Sequence, residues 1–187
     1  MCANLELTAF HQRVKNSAVS FTVAFVYVIA PAANDIPQFR QRIRAAKVVE
    51  HDAASPSLTI LVDDDLFSFC TIPYCEEFTE SADRATAMIG YVKEHPTLED
   101  ESGQDDLLFM TALRWVSFTS FIRPMWLHPA DSIPRFAWGR FYTEGRGLEI
   151  PLSVQGHHAL IDGIHMAKFY ARVEDYLRHP AFIADGQ

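Results

Sequence analysis

Apolar positions along the chain change their period several times, and each change predicts an element. Leu7, Phe10 and Val14 stand at helical spacing, predicting an amphipathic helix over Leu5–Asn16. The nearly unbroken apolar run Phe21–Ala30 predicts a buried helix from about Val19 to Ala30, ended by Pro31. Pro37–Arg44 (PQFRQRIR) reads as a short helical turn with a solvated basic face. From Val48 to Tyr74 the period shortens: VVEHD, SLTILVD and LFSFCTIPY are β-branched and aromatic runs divided by Ser-Pro and Asp-Asp-Asp, and they predict strands. Helical spacing returns over Ser81–Glu94, with Ala85, Met88, Ile89 and Val92 on one side. Glu94–Asp106 carries six acids with Pro96 and Gly103, so it predicts a solvated loop. Leu107–Phe121, Phe136–Tyr142 and Leu148–His157 are strand-like again. Gly163–Arg178 closes the pattern as a helix, with Met166, Tyr170, Val173 and Leu177 on its apolar side and Pro180 beyond it. Interspersed helices and strands predict an α/β fold of the two-layer α+β kind, a mixed β-sheet flanked by helices.

Composition narrows the function. A length of 187 residues predicts a single domain over 1–187, with room for a real core. Sixteen basic against 24 acidic side chains leave a charge of −8, which argues against nucleic acid or anionic lipid as a partner. With 14 Phe, 6 Tyr and 3 Trp, the core or a pocket is rich in rings. Cys2, Cys70 and Cys75 are too few and too odd in number for a disulfide framework, so a reducing, cytoplasmic setting is expected. The uncharged stretch between Lys15 and Asp35 imitates a signal peptide, but Glu6, Ser20, Thr22 and Pro31 interrupt it. It is also short for a membrane span of ~20 apolar residues, so no membrane association is expected.

Chemistry concentrates in Leu152–Tyr170, LSVQGHHALIDGIHMAKFY. A strand delivers His157 and His158, and Asp162-Gly163 then opens a helix. Neighbouring strand residues face opposite sides, so one of the two histidines at most enters a given cavity. Asp162 is a natural helix N-cap, and a histidine four residues before it is a candidate general base. Two alternatives stand beside that. Both histidines can be ordinary core or surface residues. His158, Asp162 and His165 would also align as metal ligands on a continuous helix, but Gly163 and the strand-like approach oppose such a helix, and no metal is expected.

The same stretch resembles the active-site signature of the type A chloramphenicol acetyltransferases. Further resemblances run along the chain: Ser20–Arg40 to the family's buried helix, LFSFCTIPY to its pocket-lining strand, TALRWVSFTSF (Thr111–Phe121) to its Ser-x-x-Pro-Trp segment, and Ile133–Gly145 to the strand and turn that follow. The resemblance implies an acetyl-CoA-dependent acyltransferase, a homotrimer with active sites at subunit interfaces. It implies His158 as general base, its other ring nitrogen held by a backbone carbonyl, and Thr111 in the place of the family's oxyanion-binding serine. It gives Asp162 a structural role through an arginine. Trp115, Arg140 and Phe141 fall at coenzyme A positions, and Cys2, Phe67, Phe69, Phe121, Arg123 and Ala137 at acceptor-pocket positions.

Several positions depart from the family pattern. The chain begins at a point matching the family's Pro-Cys-x-x-Ser stretch, at Cys2, so the family's N-terminal segment, with its arginine partner for the acid, is expected to be missing. Arg114 replaces the proline before Trp115. Phe69, Phe109, Arg123 and Ala137 replace smaller, polar, apolar and hydroxyl side chains. Three functions follow: O-acetyl transfer to chloramphenicol, conferring antibiotic resistance; the same chemistry on another small hydroxyl acceptor; or a catalytically impaired trimeric binding protein.

Overall fold

The computed structural model describes residues 1–63, 66–97, 103–126 and 130–184. The chain opens with strand β1 (Cys2–Glu6) and helices α1 (Thr8–Lys15), α2 (Phe21–Asn34) and α3 (Pro37–Arg40). Strands β2 (Gln41–Arg44), β3 (Lys47–Glu50), β4 (Ser55–Asp63) and β5 (Leu66–Thr71) lead to helix α4 (Phe78–Glu94). Strands β6 (Leu107–Leu113), β7 (Arg135–Gly139), β8 (Tyr142–Glu144) and β9 (Gly147–Gln155) precede helix α5 (Gly163–Arg178). The main sheet runs β1-β9-β7-β6-β4-β5, with β8 on β9, and β2-β3 is a separate hairpin. Pairing is parallel for β4–β6 and β6–β7 and antiparallel elsewhere, so the sheet is mixed, as expected.

Alternation along each strand decides which face meets the helices. Leu5, Leu58, Met110, Phe136, Trp138, Leu152 and Val154 are buried on one face. There Phe136 meets Phe169 of α5, and Trp138 meets Phe25 of α2, at ring distances of 5.2 Å in both pairs. The two layers are therefore one sheet and one set of helices. The intervening residues, Thr59, Thr111, Ala137 and Ser153 among them, point to the other face, where no described helix packs.

Helix α2 is the centre of the helical layer, with every residue from Val23 to Ala33 buried. Ser20 caps it, its side chain accepting from the Val23 N–H. The helix runs through Pro31 instead of ending there. Proline costs one intrahelical bond, and here the Asn34 side chain takes up nearby carbonyls, donating to Ala30 and Ala54 at 2.9 Å each.

Other boundaries also move. The predicted first helix splits into β1 and α1, because Ala3 and Leu5 complete the sheet against Leu152 and Ile150 of β9. The predicted strand Leu107–Phe121 ends at Leu113; beyond it the chain crosses the uncovered face, the Val116 carbonyl accepting from Arg140 N–H at 2.8 Å. PQFRQRIR is half helix and half strand, and its Arg42 is fully buried instead of solvated. That guanidinium donates to the carbonyls of Phe39, Gln41, Asp105 and Leu107, and burial lowers its pKa to about 10. The predicted acidic loop is described only in part, residues 98–102 lying outside the described residues. Its Asp105 is not simply solvated but pairs with Arg44 and His51.

Candidate active site

Strand register lines up one row of residues across the uncovered face. Cys2 pairs with Ser153, Ser153 with Ala137, and Ala137 with Thr111. Thr111 then meets Thr59 through their hydroxyls at 3.1 Å, and Thr59 pairs with Phe69. Cys2, Ala137, Thr111 and Phe69 were singled out from the sequence, and one pleat brings all four onto the same line.

Beside Thr111 the sheet opens. The pairing of β4 with β6 stops at Leu58–Met110, although β4 continues to Asp63 and β6 to Leu113. Where the two strands part, a cavity of about 760 Å³ passes between them. On the helix side it is lined by Ser20, Thr22, Ile89 and Lys93, and on the uncovered side by Phe67, Phe69, Thr111 and Arg123. Arg114 and Trp115 lie beyond the end of β6, with the guanidinium 5.0 Å from the Trp115 ring centre. The volume falls in the range of ligand pockets. A cavity lined from both faces of a sheet, with the paired Thr59 and Thr111 hydroxyls on its wall, can bring two substrates together.

Thr111 is held for that position. Its oxygen accepts from the Arg123 guanidinium and touches Thr59, so its own hydrogen is left for Thr59 or for a ligand. The Arg123 backbone is clamped in turn: its N–H donates to Gln155 Oε1 at 3.0 Å, and its carbonyl accepts from Gln155 Nε2 at 2.9 Å. Ser153 adds a bond to the Phe121 carbonyl at 2.7 Å. Burial, reinforced by nearby Arg135, lowers the pKa of Arg123. Phe121 and Ala137 do not reach the main cavity; with Arg123 they line a void of about 10 Å³, space for about one water.

The histidine turn lies elsewhere. Ser153 is level with Thr111 two strands away, ~10 Å at the usual strand spacing. His158 follows beyond the end of β9, past Gln155, at the end of the sheet where β6 and β7 begin. The turn is tight: the His157 carbonyl accepts from both Leu160 and Ile161 N–H at 2.9 Å, and His157 Nδ1 from Ala159 N–H. His158 is exposed, and its ring makes no hydrogen bond among the described residues. Asp162 is exposed as well and has no arginine partner among the described residues. It is the N-cap of α5, accepting from Gly163 N–H at 2.6 Å, while His165 Nδ1 accepts from Asp162 N–H at 3.0 Å. That bond uses the lone pair a metal would need at His165 Nδ1, and the described residues contain no metal-binding cluster.

Of the positions expected at coenzyme A, only Trp115 lines the cavity. Arg140 is exposed, and Phe141 packs on His11 and Phe21 at the start of the helical layer. Thr59, Lys93 and Gln155 escaped the sequence reading. Thr59 could have been found from the polar residue alternating with Leu58 and Ile60; the Gln155 side chain acts on the backbone of Arg123, which no pattern reveals.

The family model for chloramphenicol acetyltransferase matches residues 1–174. The chain belongs to the chloramphenicol acetyltransferase family. A chloramphenicol acetyltransferase of Klebsiella sp is 28% identical over 173 residues, spanning 92% of this chain and 79% of that one. Among solved structures, a chloramphenicol acetyltransferase superposes with a TM-score of 0.85 at 25% identity, over 95% of this chain and 86% of that one. The cubic core of the pyruvate dehydrogenase multienzyme complex shares the fold alone, with a TM-score of 0.74 at 16% identity over 98% and 83%. Membership in the chloramphenicol acetyltransferase family agrees with the mixed sheet and flanking helices described above. No described helix is long and apolar enough to cross a membrane.

Proposed function

We propose that the chain is a coenzyme A-dependent O-acetyltransferase that moves acetyl from acetyl-CoA to chloramphenicol or a similarly sized hydroxyl acceptor. One observation carries the reading: the cavity where β4 and β6 part is lined by residues of both faces of the sheet, the Thr111 hydroxyl among them. Acetyl-CoA would bind on one side of the sheet and the acceptor on the other. The working form is a homotrimer in the cytoplasm, in which His158 of one subunit faces the Thr111 cavity of the next. Its exposure at the end of β9, apart from the cavity of its own chain, supports that arrangement.

The chemistry then follows from three side chains. His158 takes the proton of the acceptor hydroxyl as its oxygen attacks the thioester carbonyl, a step worth roughly 10²–10⁴-fold. The carbonyl oxygen becomes negative and accepts from the Thr111 hydroxyl, whose orientation Arg123 and Thr59 fix. Collapse breaks the carbon–sulfur bond, the imidazolium returns its proton to the departing thiolate, and the acetyl ester leaves. Asp162 holds the start of α5, and with it the turn that carries His158.

The test is release of free thiol from acetyl-CoA with chloramphenicol, beside the mass of the assembly in solution. Chloramphenicol-dependent release from a trimer is expected, and His158→Ala should lower it at least 10²-fold with an unchanged melting temperature, because the ring has no partner to lose. A variant that keeps most of its activity overturns the assignment of the base. Absence of release with any alcohol overturns the enzyme.

A further inference from the structure

The residues lining the cavity on the uncovered side of the sheet leave one group unexplained. Arg123 sits half-buried against Thr111, where burial disfavours a charge. Charges removed from water are ordinarily paired, yet no carboxylate bonds to this guanidinium among the described residues, and none of the described residues lining the cavity is acidic. The charged side chain that acts on it is Arg135, a like charge itself paired with Asp131. A guanidinium offers five N–H donors in a planar fork. One goes to Thr111, and no other described acceptor takes the rest. Its plane lies near the Phe121 ring, with the guanidinium carbon 5.8 Å from the ring centre, so packing holds the fork in place. Lys93 and Arg114 add positive charge to the same cavity, in a chain whose net charge is −8.

We infer that Arg123 forms an anion subsite in the acceptor half of the cavity, and that the preferred acceptor is a hydroxy acid whose carboxylate Arg123 receives in a bidentate pair. This rests on the acyl-transfer reading above. It differs from a general affinity for coenzyme A phosphates in its location: Arg123 touches the hydroxyl at which the reacting carbonyl is placed, not the rim. That closeness also sets the shape of the acceptor. Anion and reacting hydroxyl must stand close together, which fits a carboxylate one or two carbons from the carbinol. Phe67 and Phe69, 5.7 Å apart in an edge-to-face pair along the same wall, favour an aryl substituent. Arg, not Lys, suits such a pair because its fork matches both carboxylate oxygens.

The experiment compares 3-hydroxy-2-phenylpropanoate with its primary amide, which keeps the ring and the hydroxyl and removes the charge. In the parent chain kcat/KM for the carboxylate should exceed that for the amide by at least about 10-fold, the effect of a charge-assisted pair in a partly buried site. Arg123→Leu should bring the ratio to about one, and Arg123→Lys should restore part of it. A ratio of one or less in the parent, or a ratio that Arg123→Leu leaves unchanged, overturns the subsite. Calorimetric binding of the same two compounds separates this failure from failure of acyl transfer. A preference for the carboxylate that vanishes in Arg123→Leu upholds the anion site even without turnover; equal binding of both compounds overturns it. Melting temperatures of the variants identify any that do not fold, and Arg123→Met, which keeps the length of the side chain, replaces Arg123→Leu in that event.

Discussion

Gly156 and Ile161 occupy the same small space: a Cβ on Gly156 would lie 2.5 Å from Ile161 Cδ1 and 3.2 Å from its Cβ. Ile161 is buried and closes the turn by bonding to the His157 carbonyl. Only a residue without a side chain lets the strand end so close to the start of α5. His158 is fixed between those two points, so the contact sets where the imidazole stands.

Gly156→Ala should therefore displace the turn more than it unfolds the protein. The expected result is a fall in kcat of at least about 10-fold, since small misplacements of a reacting group carry such penalties, with a loss of stability of about 1–3 kcal/mol from overpacking. Thiol release and urea unfolding on one preparation check both. Full activity in the alanine variant would mean that the turn does not set the position of His158.

The fold was largely legible because its strongest signals were local. The all-apolar run became α2, and the Met166-Tyr170-Val173-Leu177 stripe became the buried side of α5. What escaped depended on partners far along the chain. Leu5 and Leu7 are buried whether their segment is strand or helix, and only pairing with β9 decides for β1. Arg42 looked like a surface cation because its four acceptors, the carbonyls of Phe39, Gln41, Asp105 and Leu107, are backbone atoms without a side-chain signature. In the site, Thr111, Trp115, Phe67, Phe69 and Arg123 do line one cavity. Phe141 was drawn instead to a ring cluster with Phe21, which the chain's wealth of aromatics disguised.

Thr111 tests the oxyanion role directly. Thr111→Val removes the hydroxyl and keeps the branched shape, so it should lower kcat by ~10²–10³, as loss of an oxyanion donor does elsewhere. Thr111→Ser keeps the donor and frees χ1, and should stay within about 10-fold of the parent. Steady-state kinetics with saturating acetyl-CoA measure both; equal rates for the valine and serine variants would remove Thr111 from the mechanism.

Asp162 distinguishes a cap from an ion pair. As the N-cap of α5 it accepts from Gly163 N–H, and no arginine reaches it among the described residues. Asn caps about as well as Asp, whereas Ala does not. Asp162→Ala should cost about 1 kcal/mol and Asp162→Asn only a few tenths. Denaturation midpoints decide it: a large loss in the asparagine variant would mean that charge, not capping, is what the position supplies.

Asp105 gives the fold an acid-sensitive joint. Its carboxylate accepts from Arg44 at 2.6 Å and from His51 at 2.9 Å, and its carbonyl accepts from buried Arg42 at 2.6 Å. The Arg44 hydrogen bond, more than any other interaction, holds the carboxyl below the usual carboxylate range. A carboxyl with a lowered pKa in the folded state contributes stability above its unfolded value near about 3.9, and that contribution disappears as pH falls through the folded value. Asp105→Asn should therefore be less stable than the parent at pH 7, by about 1 kcal/mol or less because Arg44 is exposed to solvent screening. The difference should close as the pH is lowered from about 4 toward 2. Urea midpoints at pH 7, 4 and 2.5 follow the gap. A gap that stays constant would mean that the asparagine variant disturbs the Arg42 carbonyl cluster and not the charge pair.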